Sequence, residues 1–233
     1  CFTDDFQGLV MARFAAEKLK AKTAVIISDT ASDYSQGLSE VFTRVFEAAG
    51  GKVLGEESFS QGDKDFRAQL TKLKKLDPDV LYVPAYYGDV APILSQARQL
   101  GLRATGLGGD GWDSPKLVEV AGAAAEGGYF SNHYHPGDTR QIVVDWVNKY
   151  KTKYGSVPDA LATLGYDAAS LMLAAIDKAG TTDPDKVVAA LEGISFDAVS
   201  GHITYDQWHN PIKAAAVLKV SGGQVLYEAT VAP

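Results

Sequence analysis

Between Leu9 and Ser131 the apolar positions switch repeatedly between a helical and a strand period. Leu9, Val10, Phe14 and Leu19 recur at helical spacing, and Thr23-Ala24-Val25-Ile26-Ile27-Ser28 reads as a buried strand. A helix is predicted from about Tyr34 to Ala49, with Leu38, Val41, Phe42, Val45 and Phe46 on one stripe and Gly50-Gly51 stopping it. Further strands are predicted over 52–59, 79–84, 105–109 and 128–131. The helices between them cover 65–76, with Phe66, Leu70 and Leu73 inward, then 90–100, then a stretch from the cap Asp113-Ser114-Pro115 through Val120. Strands alternating with helices imply a parallel sheet with helices on both faces.

After His135 the rhythm changes. Helices are predicted over 140–154, 158–179 and, behind Asp183-Pro184, as far as Leu191, with no strand between them. The middle one is apolar over most of its circumference and must be covered on most sides. Trp146, Leu161, Leu164, Leu171, Met172 and Leu173 are the residues expected to lack that cover. The tail reads as strands over 202–205, 214–220 and 224–231, the last two joined by a turn at Ser221-Gly222-Gly223.

Composition narrows the function class. With 22 basic and 29 acidic residues the net charge is −7, which argues against a polyanion groove and so against nucleic acid. No apolar run is expected to reach the ~20 residues of a bilayer span. A single cysteine excludes an internal disulfide framework and a multi-cysteine zinc site. That cysteine, Cys1, reads either as the lipidated head of an anchored protein or as a residue inside a longer chain.

In an open α/β sheet the ligand sits beyond the carboxyl ends of the strands, so the segments after each strand are the candidates. Gly108-Gly109-Asp110-Gly111-Trp112 carries a carboxylate that the next helix does not need as a cap, between glycines that admit a close backbone approach. Asp110 there suits a cationic group such as an α-ammonium. Tyr86 and Tyr87 follow the 79–83 strand, and one of them is expected to face a cleft, Tyr86 first. Tyr34, in a first helical turn capped by Ser32 or Asp33, reads equally as a half-exposed tyrosine or a ligand contact. Trp112 reads equally as core or as a cleft wall.

Other chemistry finds little support. Gly106 to Gly111 matches GxGxxG formally, but it comes late, no helix follows directly, and Asp110 would repel a pyrophosphate. There is no GxSxG elbow, Walker lysine loop or HExxH. His133 and His135 lack a third metal ligand nearby and read as solvated, while His202 and His209 stand isolated. Asp4 and Asp5 read as first-turn acids complementing a helix dipole. No cofactor or metal is expected.

The segments CFTDDFQG, SDYSQGL, GDKDF, ILSQARQLGL, GGDGWDSP, TLGYDAASLMLAAIDKAG and SGHITYD resemble, in order and along nearly the whole chain, the branched-chain amino-acid-binding (Leu/Ile/Val-type) proteins of ABC transporters. The resemblance implies a type I periplasmic binding protein fold, α/β with a doubly wound parallel-sheet lobe. Helices and a C-terminal hairpin would belong to a second, incomplete lobe and hinge. Residues 1–7 would be a hinge crossover, 8–131 the ligand-binding lobe, 132–200 helices of the other lobe, and 201–233 a hinge strand and hairpin returning to the first. A domain-sized N-terminal segment would be absent, and Cys1 internal. The implied function is non-enzymatic: an amino acid is held between two lobes outside the cytoplasm and passed to a membrane permease. The membrane is then met only through that partner or a lipid anchor. Tyr34, Tyr86 and Asp110 match ligand-contacting positions, with Asp110 toward the ammonium. The alternatives are a receptor or sensor for another small ligand (an amide, urea or an aromatic acid) and a small nucleotide-binding α/β enzyme.

Overall fold

The computed structural model describes all 233 residues, with eight α-helices and ten strands. The chain forms two compact units. One comprises Asp4–Ser131 and Val217–Ala229, the other Cys1–Thr3, Asn132–Ala216 and Thr230–Pro233. Residues 201–216 therefore belong with the helices that precede them, and only the hairpin residues 217–229 belong with the α/β unit.

In the α/β unit, α1 (Asp4–Arg13) runs into a π-helical turn over Phe14–Lys18 and leads to β1 (Thr23–Asp29). Then come α2 (Asp33–Ala48), β2 (Lys52–Phe59), α3 (Arg67–Lys74), β3 (Val80–Tyr82), α4 (Tyr87–Gln99), β4 (Thr105–Gly108), α5 (Pro115–Ala121) and β5 (Tyr129–Asn132). Strands β1 to β5 pair in parallel and, with the C-terminal strands β9 (Ala215–Ser221) and β10 (Gln224–Val231), form a seven-stranded sheet of order β10-β9-β5-β4-β3-β1-β2. Order reverses on either side of β1, so the crevice at a topological switch point opens between the carboxyl ends of β1 and β3.

Local signals account for most of these elements. Ser32 caps α2, its side chain accepting from the Ser35 N–H, and the chain turns away at Gly50 with φ of +86°. Leu38, Val41, Phe42 and Phe46 bury one stripe of α2, and the Phe42 ring stacks 4.1 Å from Tyr82 of β3. Full burial of such side chains stabilises by roughly 1.5–3 kcal/mol each. Ser114 caps α5 with Pro115 at its first position. Helix α4 begins at Tyr87 rather than Val90, which draws Tyr87 into its first turn.

The other unit holds α6 (Gln141–Tyr154), α7 (Ala160–Ala179) and α8 (Pro184–Glu192). The expectation that these helices have no strands of their own does not hold. Strands β6 (Phe196–Ala198), β7 (Gly201–Tyr205) and β8 (Pro211–Ile212) form a small sheet beside them, antiparallel at both pairings. Two of these strands are only two or three residues long, too short to show a period. Leu171 and Ala175 of α7, Val187 and Ala190 of α8, and Ala198 and Ile203 of the ribbon share one core cluster. Trp146 joins another with Tyr134, Val143, Ala160 and Val199, its indole N–H donating to Thr163 Oγ1 at 3.0 Å. Trp146 and Leu171 are thus covered, whereas Leu161 and Leu173 stay 64% and 67% exposed.

Helix α7 corrects a second expectation. Its 20 residues, with mean hydropathy 1.2 over its apolar window, are long and apolar enough to cross a bilayer by length and composition. It carries a buried carboxylate, however: Asp167 accepts the N–H groups of Val199 and Ser200, each at 2.9 Å. This is a helix tied to a protein turn. The hairpin of β9 (Ala215–Ser221) and β10 (Gln224–Val231) turns at Gly222 and Gly223, whose N–H groups donate to Glu126.

Candidate functional site

The loops after β1, β3 and β4 meet in the α/β unit. Asp29, closing β1, donates its N–H to Ser35 Oγ at 2.8 Å and accepts from the Ala31 N–H at 2.9 Å. These bonds brace the turn that carries Tyr34, the second residue of α2. The Tyr34 ring stacks against Tyr86, centroids 5.3 Å apart, and its hydroxyl lies 2.9 Å from Asp110 Oδ1. Tyr86 immediately precedes α4 at the end of the loop after β3 and is 50% exposed. Asp110 opens a single 3-10 turn, Asp110–Trp112, immediately after β4.

Gln7 of α1 locks this arrangement. Its buried amide donates from Nε2 to Asp110 Oδ1 at 3.1 Å and accepts the Asp110 N–H on Oε1 at 3.0 Å. The Gly111 N–H donates to the Tyr34 hydroxyl at 3.2 Å. Burial first, and the Asp110 charge second, push the Tyr34 phenol well above its ordinary value. It therefore remains protonated and acts as a donor rather than a base. Burial, then Asp110, then Asp5 also raise the Asp4 carboxyl. Tyr82 lies fully buried behind, its phenol raised by burial and then by the charges of Asp110 and Asp4. The Asp110 carboxylate at the centre of this arrangement suits a cationic group.

The glycines serve space rather than backbone freedom. Gly109 has φ of −99°, open to any residue, but a Cβ there would sit 2.1 Å from Gln7 Oε1 and 2.4 Å from the Tyr34 hydroxyl. A Cβ on Gly108 would lie 2.0 Å from Trp112 Nε1, and one on Gly111 would lie 2.8 Å from the Ala85 carbonyl. Gly106 to Gly111 leads into the 3-10 turn, and α5 starts only at Pro115, so no helix N-terminus is presented as a dinucleotide motif requires.

Of the residues expected to form the site, the fold brings Asp110, Tyr34 and Tyr86 together. Trp112 is a correction: it is 0% exposed, donates from Nε1 to the Val83 carbonyl at 2.9 Å and packs near Phe130, so it offers no wall. Tyr87 is half-buried at the start of α4, and the ring contact with Tyr34 belongs to its neighbour Tyr86. Gln7 escaped sequence reasoning, since a polar residue inside a helical pattern gives no sign of a partner 103 positions away.

In the other unit, His133 is buried and stacks on Phe2 at 4.0 Å, while His135 accepts from the Gly137 N–H. His133 is thus not solvated as expected. Nor are His202 and His209 isolated: His202 meets Asp197 and Ser195, and His209 meets Glu192 at 3.1 Å.

A carboxylate and two phenols gather beyond the carboxyl ends of β1, β3 and β4, where a doubly wound sheet offers a binding crevice. The family model described as periplasmic binding protein matches residues 2–224. The chain belongs to the periplasmic binding protein family. A leucine-binding protein, LivK, from Thermotoga maritima superposes on this periplasmic binding protein with a TM-score of 0.95 at 42% identity, over 100% of this chain and 67% of that one. The branched-chain amino acid transporter substrate-binding protein LivJ from Streptococcus pneumoniae, solved with isoleucine, gives a TM-score of 0.88 at 32% identity over 100% and 66%. A leucine-, isoleucine-, valine-, threonine- and alanine-binding protein of Pseudomonas aeruginosa is 31% identical over 206 residues, 88% of this chain and 54% of that protein. The fold is that of the type I members. The chain spans about half the length of the curated relatives it matches.

Proposed function

We propose that this periplasmic binding protein is the extracytoplasmic substrate-binding component of an ABC transporter for branched-chain or related amino acids. The observation that carries the reading is Asp110, a carboxylate held by Gln7 and Tyr34 at the carboxyl end of β4, beside the exposed face of Tyr86. Asp110 pairs the α-ammonium, and Tyr86 and Tyr34 offer apolar area and hydroxyl groups to the rest of the ligand. At this site the amino acid is held without chemical change and delivered to a membrane permease. The names of its relatives, which bind leucine, isoleucine and valine, support the ligand class.

The test is a titration of the chain with L-leucine, L-isoleucine and N-acetyl-L-leucine, followed by amide chemical shifts, which register weak binding. The free amino acids should move Tyr34, Tyr86 and Gly109–Gly111 saturably, and the acetylated compound, which lacks the ammonium, should not. Asp110→Ala should weaken binding by at least ~2 kcal/mol, the low end for losing a buried charge partner. Equal response to N-acetyl-L-leucine, or unchanged affinity in Asp110→Ala, would remove Asp110 from the site.

A further inference from the structure

The ribbon formed by β6 and β7 carries a second constellation, built from residues that the amino-acid reading does not use. Strand alternation divides the ribbon into two faces. Phe196, Ala198, Ile203 and Tyr205 turn inward to the core cluster of α7 and α8. Asp197 and His202 form a directly opposed cross-strand pair on the other face, and Ser195 lies just before β6, within reach of His202. His202 Nδ1 lies 2.6 Å from Asp197 Oδ1, and His202 Nε2 lies 3.1 Å from Ser195 Oγ.

The order of these contacts fixes their chemistry. A carboxylate against Nδ1 holds the neutral imidazole as its Nδ1–H tautomer. The Nε2 lone pair then faces the serine O–H and accepts its proton. This is the nucleophile, base and orienting-acid sequence of acyl-transfer sites, which is recognised by geometry and roles rather than by fold. The ribbon is also firmly held. Its turn is anchored by Asp167, which accepts from the Val199 and Ser200 N–H groups, and by Lys213, which donates to Ser200 Oγ at 2.6 Å.

We propose that Ser195 is an activated serine that accepts acyl groups, with His202 as its general base and Asp197 as the positioning residue. Ser195 Oγ attacks the carbonyl carbon of an ester while its proton passes to His202 Nε2. The tetrahedral adduct then breaks the bond to the alcohol oxygen, which leaves with the proton from His202 and yields acyl-Ser195 and the free alcohol. Water can release the acyl group by the same route in reverse. All three side chains lie open to solvent, so the fitting electrophiles are small, activated esters with good leaving groups, such as aryl esters.

The experiment is covalent labelling of the chain with a fluorophosphonate, in which Ser195 Oγ replaces fluoride at phosphorus and HF is lost, followed by peptide mass spectrometry. Ser195 should be labelled ahead of the chain's other serines, and Ser195→Ala should lose that adduct. His202→Gln should slow labelling at least about ten-fold, a fraction of the usual worth of a general base. Asp197→Asn tests the positioning role: its amide N–H would hold the opposite tautomer, so labelling should slow while circular dichroism stays unchanged. Labelling spread evenly over serines, or a rate indifferent to His202→Gln, would overturn the proposal. Neither result bears on Asp110, because the two sites share no residue.

Discussion

Asp89 shows how one buried acid links the site's supporting loops to pH. It is buried in the first turn of α4, and burial raises its carboxyl above the ordinary value of 3.8, while the Gly62 N–H opposes that rise and the charge of Asp29 adds to it. Lys64 lowers it and Asp63 raises it by smaller amounts. A raised carboxyl means that the fold favours the protonated form. Its stabilising contribution is therefore full below 3.8 and lost as pH rises through the higher folded value. Asp89→Asn removes the ionised form altogether. Urea unfolding should find that variant more stable than the parent near neutral pH, with the difference closing below about pH 3.8. A difference independent of pH would mean that Asp89 is not held against ionisation. The sequence offers no sign of this, because the periodic part of the helix starts only at Val90 and burial of the preceding acid depends on the fold.

At the scale of elements, the junction between β4 and the 3-10 turn is the tightest. Gly109→Ala would drive a methyl into Gln7 and the Tyr34 hydroxyl, the two groups that hold Asp110. Overpacking of this kind costs about 1–3 kcal/mol. Thermal or urea unfolding should show that loss together with altered amide shifts at Asp110 and Gly111, and a neutral outcome would mean that the loop is not packed as described. The caps of α2, α5 and α8 were legible beforehand because Ser32, Ser114 and Asp183 act on N–H groups two or three residues away. The start of α4 was not. Its first turn, Tyr87 to Asp89, contains a glycine and lacks the apolar period, and Tyr86 supplies no side-chain cap bond. The short strands Phe196–Ala198 and Pro211–Ile212 also escaped, because each exists only through its partner across the ribbon.

For the chain as a whole, the exposed side of α7 sets solution behaviour. Its buried stripe is Ala160, Thr163, Asp167, Leu171 and Ala175, and this leaves Leu161, Met172 and Leu173 facing outward. Clustered exposed apolar residues of this size favour association. Light scattering on the expressed chain should show concentration-dependent self-association, reduced by Leu161→Glu combined with Leu173→Glu. A monomer at every concentration, unchanged by the substitutions, would show that this surface is inert.

The sequence by itself determined what depends on neighbours along the chain. The alternation of strands and helices, the helix caps, the glycine stops and the inward stripe of α2 all follow from periods and capping chemistry acting over a few residues. It also marked Asp110, Tyr86, Tyr87, Tyr34 and Trp112 as candidates, since the segments after strands are where a doubly wound sheet binds. Only the tertiary structure decided which of these touch. Tyr34 and Asp110 are 76 positions apart, Gln7 and Asp110 are 103, and their contact depends on the strand order β2-β1-β3-β4. Trp112 could be assigned to core or wall only once Val83, the residue after β3, lay beside it to accept its N–H. The meeting of His202 with Asp197 likewise required the register of β6 on β7, because a shift of one residue would place the two side chains on opposite faces.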